Sequence, residues 1–423
     1  MLILALFFME FSFAQNSTVI DTSNVDYREK LAQYYDSQTS KTETRINEIE
    51  DKKIRKQFLI NYTDKTVAFK ELINKGVFVE HNSFTNLCNE ILTKINASNP
   101  TQKLEDIKIL LAVSDEVNAY NCGEGLIVVD LPLIYKMDNE YELAYVIAHE
   151  ISHQKLDHVY QSMMKHNWQN NSEELKKKTD EIDQQKYNKS SLASGLFKKI
   201  VYTNREESRK LEHQADSLGY ILFRNAYPDY ESYSVETLRK LKWIDEEKEA
   251  LTKEDFLHFF EVSNTKFKDE WLVSEIAIYN YQKNAKFWNI DSLRTHPDCD
   301  TRISFLKENF KIQEKNKSVD VANFNLQKIN SDKEFVFGLY FLEEYGKSLY
   351  YTLLKSKKNP KEEFFKKMIY DNLIKLRDAR NNYTLNKYLE NEKPKFPEDY
   401  NQFLCLIRNL RKNELTQIIE FYK

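Results

Sequence analysis

Apolar residues recur at helical spacing through the polar, charged stretch 26–75. Ile46, Ile49, Ile54 and Phe58 share one stripe, which predicts two amphipathic helices ahead of the main domain. From Val77 the pattern changes. A helix is predicted over Phe84 to Ile95 and a turn at Asn99-Pro100. The run Ile107 to Val113 is short enough for a buried strand. A Gly-punctuated loop, Asn121 to Gly125, then leads into a second strand-like run, Leu126 to Asp130. Asn139 to about Lys165 reads as one long helix. Asn139 and Glu142 have capping-box spacing, and Leu143, Ile147 and Ile151 repeat every four residues. Residues 167–189 are rich in Lys, Asp, Glu, Gln and Asn and predict an exposed insert. A further helix is predicted to open near Asn204, with Glu207 three residues on, and to run through Leu211, Ala215 and Leu218. After Lys311 come aromatic- and Leu-rich helical segments at Phe335 to Lys355, Glu362 to Arg380 and Tyr400 to Tyr422. Pro360 and Pro394 stand one tetratricopeptide period apart, but the other signature positions are mostly unmatched. The region therefore predicts a helical accessory domain.

Composition narrows the class. With 41% hydrophobic and 30% charged residues and only 7 Gly and 7 Pro in 423 residues, the chain suits neither disorder nor a turn-dense all-β fold. The expected class is α+β, predominantly α-helical, with a small β-sheet and helical N- and C-terminal extensions. Basic residues number 62 against 66 acidic ones, with no long single-sign block, so nucleic acid is not an expected partner.

Residues 1–14, MLILALFFMEFSFA, form a short apolar segment ending in the small residues Ser12 and Ala14 before a polar run. This is the shape of a signal peptide cleaved after Ala14. No later apolar run reaches the roughly 18 residues needed to cross a bilayer. The expectation is an exported protein, soluble in the periplasm or cell envelope. The four cysteines, Cys88, Cys122, Cys299 and Cys405, lack CxxC spacing and read as buried free thiols. A Cys122–Cys299 disulfide is the alternative.

The candidate chemistry lies at His149-Glu150-Ile151-Ser152-His153. Imidazoles at i and i+4 of a helix point to one side and can share a zinc ion, with Glu150 beside the activated water as general base. Such a match arises by chance in about one sequence in a hundred of this size and His content. A catalytic zinc needs a third protein ligand and an open position. The metzincin ligand position is Val159 and its glycine position Leu156, which excludes that class. Glu212 is the best candidate, because Asp216 one turn beyond it can accept the free N–H of a ligating histidine. Glu-x-x-x-Asp after HExxH is the gluzincin arrangement. His213 points about 100° away from Glu212, and His158 falls off the metal-facing side of a continuous helix, so both read as structural.

His149 to His153, Glu212 to Asp216, and Thr295-His296-Pro297 with Arg302-Ile303 together resemble the HtpX, BepA and CAAX prenyl protease family of zinc metallopeptidases. Asn118-Ala119, the run Gly125 to Val129 and Glu142-Leu143-Ala144 also look like that family's core, so the resemblance spans about residues 80–310. It implies one zinc ion held by His149, His153 and Glu212, Glu150 as base, Asp216 as supporting carboxylate, His296 as an active-site residue able to approach the metal or the oxyanion, and Arg302 as a supporting residue. HtpX-like and prenyl-protease members carry membrane helices that this chain lacks after residue 14, so the resemblance favours a soluble exported branch. The expected domains are a signal peptide at 1–14, an N-terminal helical segment at 15–79, a zincin-type metallopeptidase domain at 80–310 and a C-terminal helical domain at 311–423.

The expected function is zinc-dependent endopeptidase action on unfolded or misfolded envelope proteins. The strand at Gly125 to Asp130 is expected to pair with extended substrate backbone. A non-catalytic, chaperone-like peptide-binding protein that keeps the peptidase fold is the competing class.

Overall fold

The computed structural model describes residues 20–21, 24–104, 106–171, 189–244, 249–274, 299–313, 315, 317–393 and 396–423, with backbone alone for 21, 82, 169–171 and 189–207. The proposed signal peptide, His296 with its Thr-His-Pro turn, and most of the 167–189 insert lie outside the described residues.

A five-stranded sheet organises the peptidase half. Its strands are β1 (Ile20–Asp21), β2 (Phe78–His81), β3 (Lys108–Ala112), β4 (Ala119–Gly123) and β5 (Leu126–Asp130), in spatial order β1-β2-β3-β5-β4. β3 and β5 are parallel and the other neighbours antiparallel. Both faces are covered, so β5 is buried throughout and its residues divide between two cores. Leu126 and Val128 join Leu31, Tyr35, Phe69 and Ile73 of the long helices α1 (Val25–Asn47) and α2 (Lys52–Asn74). Ile127 and Val129 join the opposite core, with α3 (Asn82–Ser98) and α5 (Glu140–Lys155); α4 (Leu131–Lys136) leads from β5 towards α5.

The loop expected at Asn121 to Gly125 is an edge strand and a tight turn, and this changes the substrate-pairing expectation. β5 lies inside the sheet between β3 and β4, so Gly125 to Asp130 has no open edge. The edge belongs to β4. Glu124 and Gly125 make the turn with φ of 54° and 73°, and a Cβ on Gly125 would stand 2.4 Å from the Asp106 carbonyl oxygen. Only glycine fits there.

The helix expected from Asn139 to Lys165 is two helices. Asn139 caps α5 by accepting from the Tyr141 and Glu142 amides, and Leu143, Ile147 and Ile151 are fully buried. The helix ends at Asp157, which is left-handed at φ 58°, and α6 (His158–Asn171) sets off in a new direction. Arg45 of α1 pairs with Asp157 at 2.6 Å and holds this corner. The next helix, α7 (Lys189–Ala226), begins well before Asn204, which lies inside it.

α8 (Tyr233–Trp243) and α10 (Cys299–Phe310) complete the peptidase core. A second core is built by α12 (Ser331–Phe341), α13 (Tyr345–Lys358), α14 (Glu363–Asn381), α16 (Glu398–Asn409) and α17 (Lys412–Tyr422), with the short helix α15 (Leu385–Tyr388) between α14 and α16, whereas α11 (Ala322–Gln327) packs on the peptidase core through Phe324. α9 (Lys253–Phe260) belongs to it too. Leu251, Phe256, Phe260 and Trp271 pack with Leu353, Phe403 and Ile418, so the second core recruits residues from the 80–310 stretch. Among the described residues no helix is long and apolar enough to cross a membrane. All four cysteines are free thiols, so the Cys122–Cys299 disulfide does not form.

Candidate metal centre

α5 is the most enclosed helix of the peptidase core, with every residue from Glu142 to Ser152 buried. Its approach to α7 is set by Gly219. A Cβ there would lie 3.0 Å from the His149 Cα, so only a bare backbone allows the two helices to meet at the motif. Glu212, Asp216 and Gly219 follow i, i+4, i+7 spacing, which puts them on the α7 face that meets α5.

That contact brings together three side chains far apart in sequence. His149 Nε2 and His153 Nε2 lie 3.1 Å apart. Glu212 Oε2 is 3.4 Å from the first and Glu212 Oε1 is 3.5 Å from the second. These three are the described residues able to hold a metal ion as a group, with ligand atoms all within 4.8 Å of one another. Two ligands at zinc-like bond lengths on a tetrahedron stand about 3.3 Å apart, so the observed spacings fit one small ion without rearrangement. Nitrogen, nitrogen and carboxylate oxygen form a zinc-type donor set.

Both imidazoles are held with Nε2 turned to that point. His149 Nδ1 is 3.1 Å from Asp216 Oδ1, to which it donates. His153 Nδ1 lies 2.9 Å from His158 Nδ1, and His158 Nε2 lies 3.2 Å from Gln214 Oε1. An amide oxygen only accepts, so His158 carries its proton on Nε2 and accepts from His153 through Nδ1. The His153 Nε2 lone pair is thereby left for a metal. His158 is thus a direct partner of His153 rather than an outlying structural residue, because the left-handed Asp157 turns it back toward the site. His213 faces away and stacks on Phe305 with ring centroids 4.5 Å apart, as its angle on the helix implies.

Asp216 is the hub behind the ligands. It is fully buried and accepts from Arg302 at 2.8 Å (Nε) and 2.5 Å (Nη2), from His149, and from Tyr145 at 3.5 Å. Burial alone would raise its pKa, but the Arg302 guanidinium holds it well below the usual carboxylate range. Burial and Arg302 oppose a charged His149, yet hydrogen bonds to Asp216 and Glu212 outweigh them and lift its pKa to about 10. Burial, then His149, push His153 down to about 3. Arg302, on α10, also reaches Glu212 at 3.9 Å. Tyr145 and Gly219 carried no signal of their own in the sequence. Gly219 is nonetheless an isolated glycine inside a helical pattern, the kind of position that marks close packing.

Glu150 is buried beside the metal-binding group, and its Oε2 accepts from the Asn121 amide of β4 at 2.9 Å. His149, Glu150 and Arg302 border a cleft of 1370 Å³, together with Ala119 of β4.

Residues 83–309, a little over half of the chain, match peptidase family M48. The chain belongs to peptidase family M48. Membership makes it a protease of the metallopeptidase class. The matched M48 stretch coincides with the span of the motifs and contains His149, Glu150, His153, Glu212, Asp216 and Arg302. It also contains α9, whose aromatic face packs in the second core of this M48 chain. No curated protein matches the chain.

Proposed function

We propose that this chain is a zinc-dependent endopeptidase that hydrolyses unfolded or misfolded polypeptides, with His149, His153 and Glu212 as zinc ligands and Glu150 as general base. The observation that carries the reading is the convergence of two Nε2 atoms and a carboxylate at zinc-like spacing, with Glu150 next to them at the wall of an open cleft. Bound zinc supplies Lewis-acid activation of water and of the scissile carbonyl. Glu150 accepts the proton of the attacking water and delivers it to the leaving amine. Asn121 N–H steadies the Glu150 carboxylate from one side, so its orientation is set before substrate arrives. Asp216 and Gln214, through His158, hold the two imidazoles, and Arg302 keeps Asp216 ionised. His296 is the proposed oxyanion partner.

The cleft suits extended backbone. Asn118 pairs inward with Asp130 of β5, whereas Asn121 turns its amide outward to Glu150. By strand alternation Ala119 faces outward with Asn121, toward the cleft, where a peptide can add along the β4 edge. Main-chain pairing of this kind favours unfolded chains over folded ones. The apolar segment 1–14 supports export to the periplasm or envelope, which N-terminal sequencing of the mature protein checks.

The deciding experiment is Glu150→Gln. We expect it to retain one zinc per chain by elemental analysis and to lose about 10²–10⁴-fold in cleavage of a casein-like unfolded substrate. Cleavage at the wild-type rate would overturn the mechanism.

A further inference from the structure

The cleft that contains His149 and Glu150 has two walls of different origin. One is the peptidase core; the other is the second core, through α12, α13 and α16. Along this far wall five rings meet in succession. Phe335 and Tyr351 lie 4.9 Å apart, Tyr351 and Tyr350 5.3 Å, Tyr350 and Tyr400 4.8 Å, and Tyr400 and Phe396 5.3 Å, each pair edge to face. All five border the cleft. Their burial divides them. Tyr350 and Tyr400 are buried and donate their hydroxyls to Asp399 and Glu390, so they form the backing. Phe335, Tyr351 and Phe396 are only partly buried and keep exposed surface where they line the cleft. The wall is fixed relative to the strand edge, since Lys347 of α13 pairs at 3.0 Å with Asp115, just ahead of β4.

We propose that the second lobe is the substrate-selecting wall of this peptidase, an aromatic shelf that takes the large apolar side chains of an unfolded polypeptide lying along β4. This rests on the endopeptidase reading for the identity of the occupant. The shelf faces the catalytic group across one continuous cavity, so a chain that reaches Glu150 also meets these rings. Side chains of an extended peptide alternate on two sides, and those directed away from the peptidase wall meet the shelf. Rigid aromatic rings bind such groups at little entropic cost. A folded protein keeps the same side chains inside, so the shelf adds a second filter for unfolded chains to the one made by the strand edge.

The test uses the zinc-loaded Glu150→Gln protein, which holds a peptide without cleaving it, and two fluorescent peptides that differ only in Phe versus Ser at two positions. Fluorescence anisotropy should give a Kd about tenfold lower for the Phe peptide, the scale expected for burying a ring. Tyr351→Ser combined with Phe396→Ser should bring the two Kd values within about twofold, while Tyr351→Phe keeps the preference. Thermal melting establishes that the double variant is folded. If it is not, Phe396→Ser alone, in the segment before α16, should still reduce the preference at least about threefold. Equal Kd values in the parent, or a preference that survives the folded variants, would overturn the proposal. Hydrolysis by the wild-type chain separates the two readings. Selective binding without cleavage upholds the shelf and sinks the endopeptidase, whereas cleavage without selectivity does the reverse.

Discussion

His158 sets the tautomer of His153 from a position that a continuous helix would direct elsewhere. The left-handed turn at Asp157 brings it back, and Gln214 fixes its proton on Nε2. Removing such a partner from a metal-binding imidazole weakens binding by about 10–100-fold. We expect His158→Ala and Gln214→Ala each to raise the zinc Kd on that scale in isothermal titration, and unchanged affinity would remove the role assigned to the relay. The five-residue motif itself was plain in the sequence, because i, i+4 spacing suffices to place two imidazoles and an adjacent base. Glu212 was readable through Asp216 one turn later. His158 was misread because a left-handed aspartate leaves little trace in an apolar pattern. Arg302 was marked only by resemblance, and the structure supplies its task. Arg302→Met leaves Asp216 buried without its cation, which costs about 3–5 kcal/mol. A urea midpoint as high as wild type would contradict that.

β4 shows why elements are harder to read than motifs. Its residues, Ala119 to Gly123, have neither the apolar run of β3 nor that of β5, and the strand exists because the Glu124-Gly125 turn folds it back onto β5. Its edge position then exchanges the roles expected for the two segments. The contact between α5 and α7 offers a cleaner test. Gly219→Val would push side-chain atoms into the His149 backbone, so we expect lower thermal stability together with weaker zinc binding, both recovered poorly by added metal. Where β5 meets α4, Asp130 is buried, and that burial, with Glu116 and Asp115 nearby, lifts its pKa to about 7. The unfolded value is about 3.9, so the folded state holds this proton more tightly. Its contribution to stability is fully present below about pH 4 and is lost as the pH rises through 7. Asp130→Asn should therefore match wild type at pH 4 and exceed it at pH 8 by roughly 1–3 kcal/mol in urea unfolding. An equal gain at both pH values would mean that ionisation is not the cause.

At the scale of the whole molecule, the two cores are joined by a buried polar knot. Glu334 of α12 meets His81 of β2 at 3.3 Å and accepts from Tyr135 of α4 at 2.9 Å. Glu334→Ala would leave the buried His81 and the half-buried Tyr135 without it, at about 1–3 kcal/mol for the buried partner, so we expect a lower melting temperature and looser coupling of the lobes in hydrogen exchange. A helical C-terminal region was apparent from its aromatic and Leu-rich periodicity. The recruitment of α9 into that lobe was not, since periodicity shows that Phe256 and Phe260 need a partner but not which one. The Arg302–Asp216 clamp also bears on the order of events during synthesis. The parts of the site span residues 149 to 302, and the guanidinium is the last described part to leave the ribosome. Until it does, docking α7 on α5 would bury the Asp216 carboxylate without its guanidinium, at a cost of several kcal/mol. We therefore expect the docked site to be complete only after Arg302 has emerged, well after its histidines and base are made.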